Sequence, residues 1–320
     1  MTRQALESAL RFMATLAALL AAQPAIAGGM SVRTLASEEA RLSTIAYRLA
    51  VANAGTCSRP EALSGLILHD LTQYDAAKRT AVARAFSLHD GIGVLQLVPG
   101  SSAAEAGLMI DDEIEAVNGY TVREGRAVSS GRKSFDRMER FTALLQNALA
   151  RGQANLQIRR RGQPLTVRLS ARLGCGGRLA LRESAVQNAW SDGRHVFINS
   201  GMAKLAGSED EIAFVIAHEM AHNILGHSAV RAQSIYGAPV RSARTDEIDA
   251  DQLAVRLMID AGYRPQAGIS FLETASRKCW WQISLDHPSF SARIRAVRSA
   301  IQSADPARQL AGTKTSRRNS

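Results

Sequence analysis

The chain has 320 residues, of which 46% are hydrophobic and 21% charged, with 24 Gly and 8 Pro. This composition is typical of globular proteins and excludes a disordered or collagen-like chain. The net charge is +10, but aromatic residues make up only 5% and no nucleic-acid-binding motif accompanies the charge. We therefore expect no nucleic acid partner and at most a weak attraction to an anionic membrane surface.

The first 27 residues have the pattern of an export signal. Arg3 and Arg11 precede an apolar run at 12–22, which is shorter than the roughly 20 residues needed to span a bilayer. The small residues of Pro24-Ala-Ile-Ala27 then form a signal peptidase site. We predict cleavage after Ala27 and an exported chain that is not integral to the membrane.

After the signal, the chain alternates between segments with helical periodicity and a segment of short, strand-like apolar runs. Residues 35–54 have helical periodicity, whereas 59–174 contain short apolar runs separated by turn signals such as Pro99-Gly100 and Asn118-Gly119. Residues 176–303 are again mostly helical, with one strand-like segment at 195–199. The polar tail at 304–320 is basic and is predicted to be disordered.

Three cysteines are present, so at most one internal disulfide can form. Cys57 and Cys175 lie at the two edges of the segment 59–174, and export would permit a disulfide. Cys279 follows a helical pattern and is predicted to be a buried thiol. We predict a Cys57–Cys175 disulfide.

The segment 59–174 resembles a PDZ domain of the type found in bacterial periplasmic proteases. The resemblance rests on Gly91-Ile-Gly-Val94, Ser102–Leu108, Asp112-Glu-Ile114 and Val117-Asn-Gly119, although Asp111 replaces the usual glycine. It implies that a peptide adds to a strand edge and that the loop carrying Gly91, Ile92, Gly93 and Val94 holds the peptide carboxylate. In the helix predicted at 134–150, Phe135, Met138 and Phe141 would line the groove or simply belong to the core.

The strongest chemical signal is His218-Glu-Met-Ala-His222. It lies within a helical pattern that begins at a capping box, Ser208–Glu211. On a helix, positions i and i+4 share one face, so both imidazoles can bind one Zn²⁺. Glu219, one position further round, is placed to take a proton from the metal-bound water.

A third ligand has to come from elsewhere in the chain. Leu225 and Ser228 exclude the metzincin pattern, which requires Gly and His at these positions. His227 would lie about 140° round a continuing helix from His222, so we interpret it as an ordinary histidine near the helix end.

A second helix offers two carboxylates at helical spacing. Glu247 and Asp251 stand at i and i+4, so that one can bind the metal while the other fixes a ligand imidazole. The neighbouring Asp246 and Asp249 are expected to be exposed.

These motifs together resemble the zinc metallopeptidases of family M48, which are gluzincins. The matching pieces are Asn188-Ala189, Phe197–Met202, HEMAH at 218–222, ExxxD at 247–251, and His287-Pro288 followed by Arg293. The resemblance implies one Zn²⁺ per chain, held by His218, His222 and Glu247. It further implies Glu219 as general base and Asp251 as the residue that supports a ligand imidazole from behind.

The same resemblance implies roles around this centre. His287 would polarise the scissile carbonyl or transiently occupy the open metal position, unless it is a loop histidine without catalytic duty, and Arg293 would support its loop. The strand containing His195, Phe197 and Asn199 would be the edge against which an extended substrate pairs. Members of the family that lie in membranes carry spans around the active site, and the sequence has none after its signal, which implies a periplasmic enzyme.

We therefore expect an α+β fold, with a mainly helical zincin peptidase domain and a small sheet, interrupted by a PDZ-like β-rich domain. The expected boundaries are a signal peptide at 1–27, a peptidase helix at 28–58, the PDZ-like domain at 59–174, the peptidase domain at 175–303 and the tail at 304–320. The expected function is a zinc-dependent endopeptidase of the cell envelope in protein quality control. It would act on unfolded or misassembled envelope polypeptides and recruit their C-termini through the PDZ domain. The alternative is a non-catalytic, chaperone-like assembly factor that binds polypeptide C-termini.

Overall fold

A computed structural model describes residues 32–122, 133–227, 243–278 and 288–304. The described residues form one compact unit. The predicted signal and tail, Cys279 and His287 lie outside these ranges. No helix of the described part is both long and apolar enough to cross a membrane.

The chain enters through helix α1 (Val32–Ala52) and then builds the inserted block, by which we mean residues 59–174. The block contains, in chain order, β1 (Pro60–Leu63), β2 (Leu66–His69), α2 (Ala76–Ala85), β3 (Ile92–Leu97), α3 (Ser102–Glu105), β4 (Glu113–Val117), β5 (Tyr120–Thr121), α4 (Asp136–Ala150), β6 (Ala154–Arg160) and β7 (Gln163–Leu169), with β8 (Arg172–Cys175) at its end.

The block is organised around a six-stranded sheet. Its strands follow the order β2-β3-β4-β6-β7, with β5 paired to β4, and their pairings are antiparallel. Strand β2 therefore lies at one edge of the sheet and β3 lies inside it. One core cluster joins the sheet to helix α4, with Ile114 and Leu156 packed together with Phe141 and Leu145.

Two features close the inserted block at its base. Strand β1 pairs with β8 in a separate two-stranded sheet, in which Pro60 stands opposite Cys175. At the end of this pair, Cys175 of β8 forms a disulfide with Cys57, with a Cα–Cα distance of 5.5 Å. The predicted disulfide is thus confirmed, and it joins the two ends of the insertion.

The remaining elements form the part that the sequence predicts to be a peptidase domain. A three-stranded sheet in the order β10-β11-β9 comprises β9 (Arg178–Arg182), β10 (Ala189–Ser191) and β11 (His195–Asn199). It is followed by the helices α5 (Ser200–Leu205), α6 (Glu209–Leu225), α7 (Ala243–Asp260), α8 (Gln266–Lys278) and α9 (Phe290–Ser303). The chain thus has the expected α+β fold.

Helix α1 packs into the core of this part although the inserted block separates it from the rest in sequence. Its Leu42, Ile45 and Leu49 are almost fully buried in one cluster with Ile212 and Ile216 of α6. Burying a side chain of this size contributes about 1.5–3 kcal/mol, so the helix stabilises the part of the molecule that carries the HExxH motif.

Candidate metal centre

Helix α6 has clear signals at both ends. The Ser208 hydroxyl caps its first turn by accepting a hydrogen bond from the Glu211 N–H. At the other end, Gly226 adopts a left-handed conformation with φ of 73°, which stops the helix at Leu225. Between these caps, His218 and His222 project from one face, as their spacing predicts.

Three buried side chains converge at this face. Nε2 of His218 lies 3.1 Å from Nε2 of His222. The Glu247 carboxylate, on helix α7, lies 3.3 Å from the first nitrogen and 3.4 Å from the second. These residues form a group of possible metal ligands with atoms that all lie within 4.8 Å of one another.

The donor set fits a zinc ion. Zinc in proteins prefers nitrogen and oxygen ligands at about 2.0–2.2 Å in a tetrahedron, and ligands so placed are about 3.3 Å apart. The three separations of 3.1, 3.3 and 3.4 Å match that spacing without rearrangement. Two imidazoles and one carboxylate leave a fourth position open for water or substrate.

Behind His218 lies an ion pair between Asp251 and Arg293. Nδ1 of His218 is 3.0 Å from the Asp251 carboxylate. Arg293, on α9, donates two hydrogen bonds to that carboxylate, at 2.8 and 2.6 Å. Asp251 is fully buried, so the guanidinium supplies the charge that its burial requires. The pair holds the His218 ring with Nε2 directed at the other ligands.

These contacts also set the proton affinities at the centre. Burial and the Arg293 charge would lower the pKa of His218, but hydrogen bonds with Asp251 and Glu247 raise that pKa to about 9. Burial would raise the pKa of Asp251, but the charge and hydrogen bonds of Arg293 lower it. A proton and a metal ion therefore compete for the same His218 nitrogen.

Glu219 lies beside the ligands in the wall of a cavity. The cavity has a volume of 390 Å³, and Glu219 is 9% exposed. Its lining also includes the two ligand histidines and residues of one strand and the loop before it, namely Gln187, Asn188, Ala189, Trp190 and Ser191. A carboxylate in this position can exchange protons with a water or an amine nitrogen inside the cavity.

Two residues at the centre were missed by the sequence interpretation. His227 is 3% exposed, and its Nδ1 lies 2.8 Å from Nδ1 of His222. Asp246, expected to be exposed, is 2% exposed, and its carboxylate lies 3.7 Å from Nε2 of His227. The prediction for His227 assumed a continuing helix, whereas the helix ends at Leu225 and the left-handed Gly226 separates His227 from it. The glycine before His227 was the available signal.

The predicted substrate strand occupies a different place from the one expected. Strand β11, with His195, Phe197 and Asn199, is the central strand of its sheet, paired with β10 on one side and β9 on the other. The prediction that it is an edge was wrong, because strand order depends on contacts distant in sequence. The edge that borders the cavity is β10.

The loop predicted to hold a peptide carboxylate already holds a carboxylate of this chain. The backbone N–H groups of His89, Asp90 and Gly91 all donate to one oxygen of Glu113, which is 2% exposed. A Cβ at residue 91 would lie 2.5 Å from Cγ of Glu113, so the close approach requires glycine.

The residues that follow in the same loop belong to the sheet. Ile92, Gly93 and Val94 are buried in strand β3, which is an inner strand. The predicted peptide site at Gly91–Val94 is therefore not an open edge, and β2 is the edge strand on that side of the sheet. Of the candidate groove residues, Phe141 of α4 belongs to the core, whereas Phe135, just before that helix, is 52% exposed.

Residues 153–242 match the family model described as Peptidase family M48, and residues 210–311 match the one described as Peptidase U49. No curated protein matches the chain.

Several solved structures are similar to part of the chain. The HtrA3 PDZ domain bound to a phage-derived ligand is 15% identical, with a TM-score of 0.27, and the match covers 36% of this chain and 89% of that one. The HtrA-type protease AlgW with a decapeptide is 19% identical, with a TM-score of 0.25, over 36% of this chain. The match spans 30% of the AlgW chain.

Both matching families are peptidases, and both matched ranges include the helix with His218, Glu219 and His222. The two ligand histidines and the adjacent carboxylate are the parts of the described centre that a metallopeptidase needs. The segment at 153–242, with its HExxH helix, is similar to peptidase family M48.

Proposed function

We propose that this protein is a zinc-dependent endopeptidase. The observation that carries the proposal is the buried triad of His218, His222 and Glu247, whose mutual distances suit one zinc ion. Bound zinc would lower the pKa of a water molecule to about 7 and polarise a carbonyl oxygen. Glu219 would take the proton of the attacking water and pass it to the leaving amine nitrogen.

An extended substrate would pair with the free side of β10. Asn199 donates a backbone hydrogen bond to the Asn188 carbonyl at 3.0 Å. Because backbone groups alternate along an antiparallel strand, Trp190 also faces β11, whereas the N–H and C=O of Ala189 face away from it. The cavity lies along this strand, so a paired substrate would run past Glu219.

The inserted block would recruit substrates by their C-termini. Its edge strand β2 offers backbone groups for strand addition, which is how an extended peptide joins a sheet. We further propose that the chain is exported to the periplasm, with cleavage after Ala27, and acts there on unfolded or misassembled envelope polypeptides. The Cys57–Cys175 disulfide supports an oxidising compartment.

Zinc content and casein cleavage together test the activity. We expect one zinc per chain, loss of casein cleavage after treatment with 1,10-phenanthroline, and its return when zinc is added. Glu219→Gln should keep the zinc and lower the rate by about 10²–10⁴-fold, because the proton acceptor is lost.

Glu209→Gln is the matched control, since Glu209 is exposed at the start of the same helix. It should cleave casein at the wild-type rate. A wild-type chain that binds zinc and C-terminal peptides but never cleaves polypeptide would favour the chaperone-like assembly factor instead. Peptides with an amidated C-terminus would show whether the inserted block needs a free carboxylate.

A further inference from the structure

We propose that His227 and Asp246 are positioning residues that fix the ring of His222 as a metal ligand. This inference rests on the proposed zinc function, because it concerns how a ligand imidazole is held. Nδ1 of His222 lies 2.8 Å from Nδ1 of His227, and both side chains are buried.

The contact determines where the hydrogens lie. Nε2 of His222 faces Nε2 of His218 and the Glu247 carboxylate, so this nitrogen must offer its lone pair to the metal. A neutral imidazole then carries its hydrogen on Nδ1. Because two ring nitrogens 2.8 Å apart share one hydrogen, Nδ1 of His227 accepts and its own hydrogen is on Nε2.

That second hydrogen is on the nitrogen that faces the Asp246 carboxylate at a distance longer than a hydrogen bond. The Asp246 carboxylate lies 3.7 Å from Nε2 of His227, and both side chains are at most 3% exposed. At this distance the negative charge favours the tautomer with hydrogen on Nε2. The contacts therefore run from the Asp246 carboxylate through the His227 imidazole to the ligand imidazole of His222.

The two ligand histidines are thus supported in different ways by one helix. His218 contacts the Asp251 carboxylate directly at 3.0 Å, whereas His222 reaches Asp246 through a second imidazole. Helix α7 carries both of these carboxylates and the ligand Glu247 between them. The longer support exists because the left-handed Gly226 ends the helix, so that His227 departs from helical spacing and contacts His222.

Zinc affinity is the property that this arrangement should change. Removing a partner of this kind typically weakens metal binding by about 10–100-fold. We expect His227→Phe, which keeps a ring but removes the acceptor, to lose zinc by that factor in competition with a chromophoric chelator. His227→Gln should recover part of the loss, because its side-chain oxygen can accept the hydrogen from His222.

A double-mutant cycle tests the order of the groups. Asp246→Asn should weaken zinc binding in the wild-type background and have little further effect when combined with His227→Phe. Asp249→Asn is the matched control on the same helix and should bind zinc like the wild type. The absorption spectrum of the Co²⁺-substituted chain should shift in His227→Phe and remain unchanged in Asp249→Asn.

The outcomes separate this inference from the proposed function. If the wild type binds zinc and His227→Phe binds it equally well, the positioning role is wrong and the peptidase proposal stands. Equal effects of Asp246→Asn in both backgrounds would also overturn it. If His227→Phe does not fold, the zinc affinities of His227→Gln and Asp246→Asn are compared with that of the wild type. Wild-type affinity in both variants would then overturn the positioning role. A wild-type chain without zinc affinity overturns both proposals.

Discussion

A carboxylate oxygen of Glu139 lies 3.4 Å from Nε2 of His195. Glu139 is on helix α4 of the inserted block, and His195 begins the central strand β11 of the peptidase sheet. The same carboxylate also lies 3.4 Å from Arg178 and 3.8 Å from Arg194. The Glu139 carboxylate therefore lies close to three side chains in or next to the sheet that borders the cavity, and it connects that sheet to the inserted block.

Loss of the Glu139 charge should loosen that sheet. Each ion pair is partly exposed and contributes about 1 kcal/mol or less, so Glu139→Gln should lower the free energy of unfolding only slightly. Hydrogen exchange of the β10 and β11 amides should become faster, since local opening costs less.

Glu105→Gln is the control for this prediction. It removes an exposed ion pair with Arg172. Glu105 is on α3 and Arg172 is on β8, so this pair does not involve the peptidase sheet. It should leave exchange in the peptidase sheet unchanged. Equal exchange rates in Glu139→Gln and the wild type would show that the contact does not stabilise the sheet.

Arg293 should be required for the buried Asp251 carboxylate. Arg293→Met leaves that charge without its guanidinium, which typically costs about 3–5 kcal/mol when the partner is buried. Urea unfolding in the presence of a chelator measures this loss without a contribution from zinc. Arg256→Met, which breaks an exposed pair with Asp260 on α7, should cost less than about 1 kcal/mol.

The local part of the centre was predictable from sequence because its geometry is local. His218 and His222, and likewise Glu247 and Asp251, are four residues apart, and a helix of any protein places such residues on one face. The contact between these two helices is not local. It was inferred from the need for a third ligand and from the family resemblance. The identity of the edge strand depended on pairings across the sheet, which explains the error for β11.

Two further errors have a similar origin. The spacing argument for His227 failed because it assumed that the helix continues through this residue. The left-handed Gly226 ends the helix at Leu225 instead. The loop at Gly91–Val94 was expected to bind an external carboxylate, but the N–H groups at 89–91 hold Glu113, which the pairing of β3 with β4 brings to them. In each case a contact between distant residues, or a single backbone conformation, decided the outcome.

The free side of β10 can be tested with proline. Ala189→Pro removes an N–H that faces away from β11, so the sheet should be retained while a hydrogen bond to substrate is lost. Such a bond contributes about 1 kcal/mol, and we expect kcat/KM to fall about fivefold with zinc content unchanged. Trp190→Pro should instead disrupt the pairing with β11. Unchanged kcat/KM in Ala189→Pro would exclude pairing at this position.

His69 should make the inserted block sensitive to acid. Its ring is 3% exposed and contacts Phe86 and the Tyr74 hydroxyl, and burial lowers its pKa to about 4. The unfolded chain binds a proton near pH 6.5, whereas the folded chain does not, so stability falls as the pH drops from 6.5 toward 4.

A variant without a titratable side chain at this position isolates the effect. His69→Gln should lack this contribution, which is at most about 3 kcal/mol at pH 4. Urea unfolding from pH 4 to 8 gives both stability curves. These curves should run parallel above pH 7 and converge below pH 6. Curves that stay parallel throughout would show that His69 can be protonated in the folded state.

The disulfide at the base of the inserted block changes what a single cut in that block would do. Helix α1 precedes the block in the chain, yet its Leu42 and Leu49 are buried in the peptidase core. If the protein cleaves unfolded chains as proposed, one copy would also be able to cut another, and exposed loops are the preferred sites of such cuts. Because Cys57 is bonded to Cys175, a cut anywhere between them would leave α1 covalently attached to the catalytic part. The bridge therefore provides tolerance to nicking, and a nicked molecule would separate into two fragments only after reduction.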